Sequence, residues 1–244
     1  MSNRNNFVFS VEGNIGSGKS TFIPQLKSIL QHIEKDDFRY NIVYLTEPVD
    51  IWESIKDKQG KNIIEKFYGN NSKYAFSFQM MAYISRLHQI KEVLNKSYNT
   101  IIICERSIFT DRHVFAKMLY QSNHIEDIEY QIYLKWFDEF SKDIPYKGII
   151  YIKTSPSTCL KRIEKRNRPG ETIPLEYLIN CDNYHDNWIH QNNTFPSVLF
   201  NGEINIENKE KYNQYLLYRI VPFISDHLAK KQVKTTSISE FYGC

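Results

Sequence analysis

The sequence is poor in cysteine and glycine and has no long apolar run. Its four cysteines, Cys104, Cys159, Cys181 and Cys244, form no C-x-x-C pair, which argues against a zinc site and a disulfide framework and is typical of a reducing compartment. No apolar run could span a bilayer, and the polar residues 1–6 leave no room for a signal or transit peptide. We therefore expect a soluble, cytoplasmic protein with no membrane partner.

A strong charge of either sign is also missing. The formal net charge of +3 at pH 7 is too small to predict binding to nucleic acid. Apolar residues make up 41% and charged residues 24%, as in an ordinary globular protein. The length of 244 residues suits one α/β domain over residues 1–244 with a sizeable core.

Short apolar runs alternate with helical patterns along the chain. They predict five strands, at residues 7–12, 40–45, 100–104, 148–153 and 197–200. The helical patterns cover residues 19–35, 73–95, 109–121, 125–142, 157–165, 175–191 and 209–231. Residues 57–71, with two Gly and several Asn and Lys, have the pattern of an irregular surface excursion. Strands that alternate with helices predict an α/β fold, with a five-stranded parallel sheet and helices on both faces.

A glycine-rich segment, GNIGSGKS, follows the first predicted strand and matches the P-loop pattern at every fixed position. Glycines let backbone N–H groups crowd around phosphate oxygens, while Lys19 can reach the outer phosphates and the Ser20 hydroxyl can ligate magnesium. Because the segment stands between a predicted strand and a predicted helix, we expect it to bind ATP or GTP. The predicted phosphate-binding residues of the loop are Gly13, Asn14, Ile15, Gly16, Ser17, Gly18, Lys19, Ser20 and Thr21.

Charged residues follow the second and third predicted strands. Glu47 follows the second, and Glu105 and Arg106 follow the third. In an open α/β sheet the ligand lies outside the carboxyl ends of the strands, where the P-loop also lies. A carboxylate there can accept a proton from an attacking hydroxyl, and an arginine can hold charge on the transferred phosphoryl group. Taken singly, Glu47 could instead be a first-turn helix acid ahead of Pro48, and Arg106 could form a surface ion pair.

Two sets of helical residues each allow two interpretations. Gln79 and Arg86 are seven residues apart on one helix face, where they could bind a base edge or be solvated. Arg162 and Arg166 share another helix face, with Arg168 just beyond it. These arginines could close over phosphates as a lid or form a solvated basic helix end. The pattern alone leaves both choices open.

In combination, these motifs resemble the deoxyribonucleoside kinase family, of the deoxycytidine and deoxyguanosine kinase type. The matching pieces are EGNIGSGKST, TEPV followed by Trp52, SFQ with SR downstream, ERSIFTDR, and CLKRIEKR leading to IPLEYL. They run from Phe7 to the last helix. The resemblance implies a P-loop kinase fold with an arginine-rich lid over residues 162–174, ATP as phosphate donor with Mg²⁺, and a homodimer.

The resemblance also implies roles for the site residues. Glu47 would take the proton from the nucleoside 5′-hydroxyl, and Arg106 would hold that oxygen and the phosphates. Glu105 and Ser20 would position magnesium. The lid arginines would be Arg162, Arg166 and Arg168. Gln79 would bind the base edge, and the other nucleoside-binding residues would be Trp52, Phe78 and Phe115 around the base, Tyr68 and Glu171 at the sugar 3′-hydroxyl, and Arg86 and Asp111.

Arg86 and Asp111 match the deoxycytidine and purine kinases of the family, whereas thymidine-accepting members tend to carry small or apolar residues there. We therefore expect deoxycytidine, deoxyadenosine or deoxyguanosine as acceptor, with a thymidine-preferring kinase as the alternative. Three features depart from the family pattern. The lid is slightly shorter and contains Pro169, His113 replaces a usual tyrosine, and residues 201–208, which should contact the donor base, match poorly.

Two other functions share parts of this pattern. A nucleoside monophosphate kinase would need arginines for the acceptor phosphate, whereas Gln79 and Glu47 suit a neutral nucleoside. A non-catalytic subunit that keeps the fold is disfavoured by the intact Lys19, Ser20, Glu47 and Arg106. We therefore favour an ATP-dependent deoxyribonucleoside kinase.

Overall fold

A computed structural model describes residues 5–33, 40–168 and 171–229. Its sheet contains β1 Phe7–Glu12, β2 Asn41–Leu45, β3 Thr100–Glu105, β4 Tyr146–Lys153 and β5 Ser197–Asn201. All neighbouring strands are parallel, in the order β2-β3-β1-β4-β5. The three central strands are buried along nearly their whole length, which explains their continuous rather than alternating apolar runs. The predicted five-stranded parallel sheet is confirmed.

The helices follow most of the predicted ranges. They are α1 Lys19–Ile33, α2 Val49–Ser54, α3 Ile63–Gly69, α4 Asn71–Lys96, α5 Ile108–Thr110, α6 Lys117–Gln121, α7 Asp127–Ser141, α8 Pro156–Arg166, α9 Leu175–Gln191, α10 Lys209–Tyr215 and α11 Val221–Ala229. π-Helical segments, Asp111–Ala116 and Leu216–Ile220, join α5 to α6 and α10 to α11. Residues 1–4, 34–35, 169–170, 230–231 and Cys244, on which parts of the predictions fall, lie outside the described residues.

The prediction of an irregular excursion over residues 57–71 is wrong in its second half, where α3 forms. The Asn62 side chain accepts from Glu65 N at 2.9 Å, and the Glu65 carboxylate accepts from Asn62 N at 2.8 Å. This reciprocal cap satisfies two backbone donors at the start of the helix. Phe67 is buried in the same helix and anchors it to the rest of the protein.

Apolar side chains cover both faces of the sheet, because successive residues of a strand point to opposite sides. On one face, Phe9 packs with Phe22 of α1 and with the C-terminal helices. On the other face, Val8 packs with Tyr83 of α4 and Phe137 of α7. The predicted helical cover on both faces is confirmed. Within the described residues, no helix has both the length and the apolar character needed to cross a membrane.

Candidate active site

The P-loop connects β1 to α1 and passes close to neighbouring backbone. Gly13 and Gly16 have φ angles of +144° and +76°, in the region that favours glycine. A Cβ atom on Gly13 would lie 2.5 Å from Ile152 O, and one on Gly16 would lie 2.6 Å from Cys159 O. Both positions therefore require glycine for the loop to take this path.

Lys19, the first residue of α1, folds back over the loop. Its Nζ donates to Asn14 O at 2.8 Å and to Gly13 O at 3.2 Å, and the side chain is buried. Burial and the nearby Arg106 lower the pKa of Lys19 to about 8, against the opposing effect of Glu105. A polyphosphate bound at the loop would favour the charged form of this ammonium group.

Ser20 and Glu105 bring two oxygen atoms together beside the loop. The Ser20 hydroxyl donates to Glu105 Oε1 at 2.8 Å, and Glu105 is buried at the end of β3. Mg²⁺ is usually held by few protein oxygens together with water and substrate phosphates. No group of three His, Cys, Asp or Glu side chains in the described part of the chain could hold a metal alone. The donor set therefore fits a magnesium ion shared with a nucleotide.

Glu47 lies just after β2, between two buried arginines. Its Oε1 accepts from Arg106 Nε at 2.9 Å and from Arg86 Nη2 at 3.0 Å. Burial raises the pKa of Glu47, but Arg86, Arg106 and Lys19 outweigh this effect and lower it to about 2. About a quarter of the side chain, 24%, stays exposed, so the ionised carboxylate keeps access to the surrounding space.

Arg86 joins Glu47 to a second carboxylate. Its Nε lies 3.1 Å from Asp111 Oδ2, and its Nη1 donates to Glu105 O at 3.3 Å. Burial raises the pKa of Asp111 to about 6, although Arg86 opposes this effect. Burial disfavours the charged form of Arg86, but Asp111 and Glu47 raise its pKa overall. The Arg86 guanidinium thus forms ion pairs with two carboxylates, those of Glu47 and Asp111.

Arg106 is buried and has a φ angle of 63°. The other non-glycine residues with positive φ in the described ranges are asparagines, which tolerate this conformation far better than arginine. Such strain costs about 1–3 kcal/mol and clusters at functional sites. It is offset by contacts of the side chain, whose Nη1 donates to Gly13 O at 2.8 Å and whose guanidinium lies 4.9 Å from the Phe115 ring centroid.

An aromatic slot lies on the other side of Arg86, whose guanidinium is 5.2 Å from the Trp52 ring centroid. Trp52 meets Phe78 edge-on at 5.5 Å, and Phe78 packs on Phe67 at 4.8 Å. Gln79 is buried, and its Oε1 has no hydrogen-bond partner among the described residues. Buried polar atoms rarely stay unpaired. The slot therefore offers apolar walls and a free amide oxygen to a planar ligand.

Two of the predicted lid arginines are already paired. Arg162 Nη1 donates to Ser17 O at 2.9 Å and Nη2 donates to Gly202 O at 2.8 Å, which ties the P-loop to the chain after β5. Arg166 Nη2 lies 2.5 Å from Glu171 Oε2. Because a guanidinium has five N–H donors, these contacts leave donors for phosphate oxygens if a nucleotide binds between the two arginines.

A cavity of about 540 Å³ collects the predicted residues. Gly13 and Asn14 do not line it. Instead, the Gly13 carbonyl binds Lys19 and Arg106, and Asn14 Nδ2 donates to Leu178 O at 2.8 Å. The predicted residues that do line the cavity are Ile15, Gly16, Ser17, Gly18, Lys19, Ser20, Thr21, Glu47, Trp52, Tyr68, Phe78, Gln79, Arg86, Glu105, Arg106, Asp111, Phe115, Arg162, Arg166, Arg168 and Glu171.

Sequence reasoning missed several residues of this cavity. Phe67 gave no signal because α3 was not predicted, and Ala82 on α4 is too small to stand out from its neighbours. Tyr177 also lines the cavity, and its only signal was its place in the IPLEYL motif. Asn205 and Tyr212 also line the cavity, and Asn205 falls within residues 201–208, which match the family pattern poorly.

Buried Glu12, at the end of β1, was also missed. Its Oε1 accepts from Ser107 N at 2.9 Å, and its Oε2 contacts the Thr110 hydroxyl. These contacts fix the start of α5 and so the π-helical segment that carries Asp111 and Phe115. π-Helical turns occur frequently at functional sites. A buried carboxylate of this kind cannot be told from a surface acid by sequence pattern.

Known proteins resemble this chain along most of its length. A family model described as deoxynucleoside kinase matches residues 9–225. The chain is 36% identical to a probable deoxycytidine kinase of fowlpox virus, over 89% of this chain and 88% of that protein. It is 30% identical to human deoxycytidine kinase, over 88% and 90%, and 29% identical to mitochondrial deoxyguanosine kinase of Xenopus laevis, over 88% and 89%. The chain therefore belongs to the deoxynucleoside kinase family.

Proposed function

We propose that this kinase transfers the γ-phosphoryl group of ATP to the 5′-hydroxyl of a deoxyribonucleoside, for nucleotide salvage. The observation that carries the proposal is the position of Glu47 between two arginines. Arg106 also binds the P-loop carbonyl Gly13 O, and Arg86 also stacks on Trp52. A carboxylate at this junction adjoins both the phosphate side and the aromatic side of the cavity. The names of the viral and animal relatives support the acceptor class.

In this reaction Glu47 accepts the proton of the 5′-hydroxyl while that oxygen bonds to the γ-phosphorus and ADP leaves. The low pKa of Glu47 keeps it ionised at neutral pH. A weak base is sufficient, because phosphoryl transfer passes through a loose transition state and depends mainly on positioning and charge. Arg106 and Lys19 supply positive charge next to the transferred group, and magnesium held by Ser20 and Glu105 would neutralise the phosphates.

The acceptor side suits a base other than thymine. We propose that Gln79 binds the base edge between Trp52 and Phe78, while Tyr68 and Glu171 bind the sugar 3′-hydroxyl. The buried ion pair of Arg86 and Asp111 lines the same cavity, and we propose that it narrows the space that a thymine methyl group would need. Deoxycytidine, deoxyadenosine and deoxyguanosine are therefore preferred to thymidine.

One assay tests the function and the specificity. Purified protein is incubated with ATP and Mg²⁺ and, separately, with each of the four deoxyribonucleosides and each of their 5′-monophosphates, and the products are separated by chromatography. We expect the 5′-monophosphate from at least one of the three favoured substrates. Thymidine as the best substrate would contradict the specificity, and turnover of a nucleoside monophosphate alone would contradict the acceptor class.

We also propose that the protein is a homodimer that works in the cytoplasm. α7 exposes an apolar stripe, spaced by four residues, of Ile128, Ile132, Trp136 and Phe140, with exposed fractions of 65%, 42%, 45% and 42%. A stripe of this size favours an interface, and two copies of one stripe can cover each other around a two-fold axis. The free, buried thiols of the described cysteines support a reducing compartment.

A further inference from the structure

His185 of α9 is fully buried directly behind Arg106, and the reaction described above does not use it. Its Nε2 lies 3.5 Å from Arg106 Nη1, and its Nδ1 lies 2.7 Å from Cys181 O, one turn earlier in the helix. Because a carbonyl oxygen can only accept, Nδ1 must carry the hydrogen. In a neutral ring, Nε2 then presents a lone pair to the guanidinium.

The surroundings of His185 keep the ring neutral. Burial, followed by the positive charge of Arg106, lowers the pKa of His185 well below its usual value, and Lys19 and Lys153 act in the same direction. The hydrogen bond to Cys181 O raises the pKa of His185, but by less than the other effects lower it. A protonated ring would turn a second N–H toward the guanidinium and leave two donors facing each other.

The orientation of the ring is also fixed. Tyr151 stacks on it with centroids 6.2 Å apart and planes 7° apart, and Phe115 meets it edge-on at 6.3 Å. The Tyr151 hydroxyl donates to Asp186 Oδ1 at 2.7 Å, and Lys153 Nζ lies 2.6 Å from the other oxygen of Asp186. Contacts from β4, α9 and the π-helical segment therefore hold the Nε2 atom in place.

We propose that His185 is a positioning residue for Arg106. Arg106 Nη1 donates to His185 Nε2, and this hydrogen bond orients the guanidinium toward the reacting oxygen beside Glu47. This inference rests on the proposed function. Nη1 uses its other hydrogen for Gly13 O, and Nε is bound to Glu47, so Nη2, which has no partner among the described residues, is left for the substrate. The 3.5 Å contact is long for a hydrogen bond, and catalytic hydrogen bonds of this length often shorten when substrate binds.

Two substitutions of similar size separate positioning from packing. His185→Asn keeps a donor for Cys181 O but has no acceptor at the Nε2 position, whereas His185→Gln can place its amide oxygen near that position. We expect kcat to fall about 10- to 100-fold in His185→Asn, with KM for nucleoside and ATP within about threefold, since a misplaced group lowers the rate of the chemical step. His185→Gln should keep kcat within about threefold of the wild type.

A control and a double substitution sharpen the test. His113, which stacks between Phe109 and Trp188 outside the cavity, should tolerate replacement by Asn without loss of kcat. In an Arg106→Lys background, which lacks Nη1, His185→Asn should cause no further fall in kcat, because coupled residues are not additive. Equal losses for the Asn and Gln variants, or full additivity with Arg106→Lys, would overturn the proposal.

The ring tautomer of the wild-type protein gives a readout that needs no variant. ¹⁵N–¹H correlation spectra at neutral pH should show His185 with a protonated Nδ1 and a bare Nε2. An Nε2–H tautomer or an imidazolium ion would overturn the positioning role, whether or not the variants fold. A wild-type protein with this tautomer but no turnover of any deoxyribonucleoside would instead overturn the proposed function.

Discussion

At the scale of single residues, the proposed reaction depends on the charge of Glu47. Glu47→Gln keeps the shape of the side chain but removes the base, and general base catalysis is typically worth about 10²–10⁴-fold. We expect kcat to fall by that factor in steady-state assays, while nucleoside affinity, measured by calorimetry, changes only slightly. Asp50→Asn, at an exposed acid in the first turn of α2, is the matched control and should keep full activity. Unchanged turnover in Glu47→Gln would rule out its role as base.

Lys19 gives the site a dependence on pH. With no nucleotide bound, its pKa of about 8 means that Lys19 loses its proton as pH rises through that value, well below the usual 10.5 of a lysine. Bound polyphosphate favours the charged form, so ATP binding at pH near 9 should take up a proton from solution, whereas binding near pH 6 should not involve Lys19. Phosphate groups with a second pKa near 6 are already ionised at the higher pH and cannot account for the uptake.

Calorimetry in two buffers of different ionisation enthalpy measures this proton uptake directly. The affinity for ATP should also weaken as pH rises above about 8, because the neutral amine has lost its attraction for phosphate. Lys27→Met, at an exposed lysine on the same helix, should leave the uptake unchanged. An ATP-binding reaction with no proton uptake near pH 9 would show that Lys19 is already charged, or stays neutral, in both states.

At the scale of elements, α3 links stability to substrate binding. Asn62→Ala removes the N-cap and should lower the free energy of unfolding by about 1 kcal/mol. Since α3 carries Phe67 and Tyr68 into the cavity, KM for the nucleoside should rise as well. Glu129→Ala removes the side-chain acceptor of Glu126 N at the start of α7, away from the cavity, and should cost comparable stability with no change in KM. Denaturant unfolding and steady-state kinetics measure both effects, and equal KM values in the two variants would contradict the link.

The elements also show what sequence could and could not predict. β1, β3 and β4 were predictable because a strand buried on both faces must be a continuous apolar run. α3 was not, because its start is stabilised by a local polar cap and its surroundings are rich in Lys and Asn. Glu47 and Arg106 could be predicted as site residues from their positions after strands. His185 could not, because it lies in mid-helix and only its tertiary neighbours distinguish it from a solvated histidine.

At the scale of the whole molecule, the exposed stripe on α7 determines the proposed oligomer. Trp136→Glu puts a charge at its centre, and a buried unpaired charge is costly, so the dimer should dissociate. Sedimentation velocity over a range of concentrations should show about twice the monomer mass for the wild type and the monomer mass for the variant. Tyr218 is an aromatic residue with 76% exposure that does not belong to the α7 stripe. Tyr218→Glu should therefore leave the dimer intact. A wild-type monomer at all concentrations would contradict the proposed dimer. The prediction that residues 1–244 form one domain stays a prediction.

The strand order also governs how the protein can be made on the ribosome. β1 is synthesised first, yet it lies in the middle of the sheet, hydrogen-bonded to β3 on one side and to β4 on the other. At about 5–20 residues per second, an apolar strand waits many seconds for partners encoded far downstream. The P-loop can take its final path only after β4 has been synthesised, because the Ile152 carbonyl against which Gly13 packs belongs to β4. Nucleotide therefore cannot assist the folding of the nascent chain before β4 has been made, and until then the unpaired edges of β1 are exposed to aggregation.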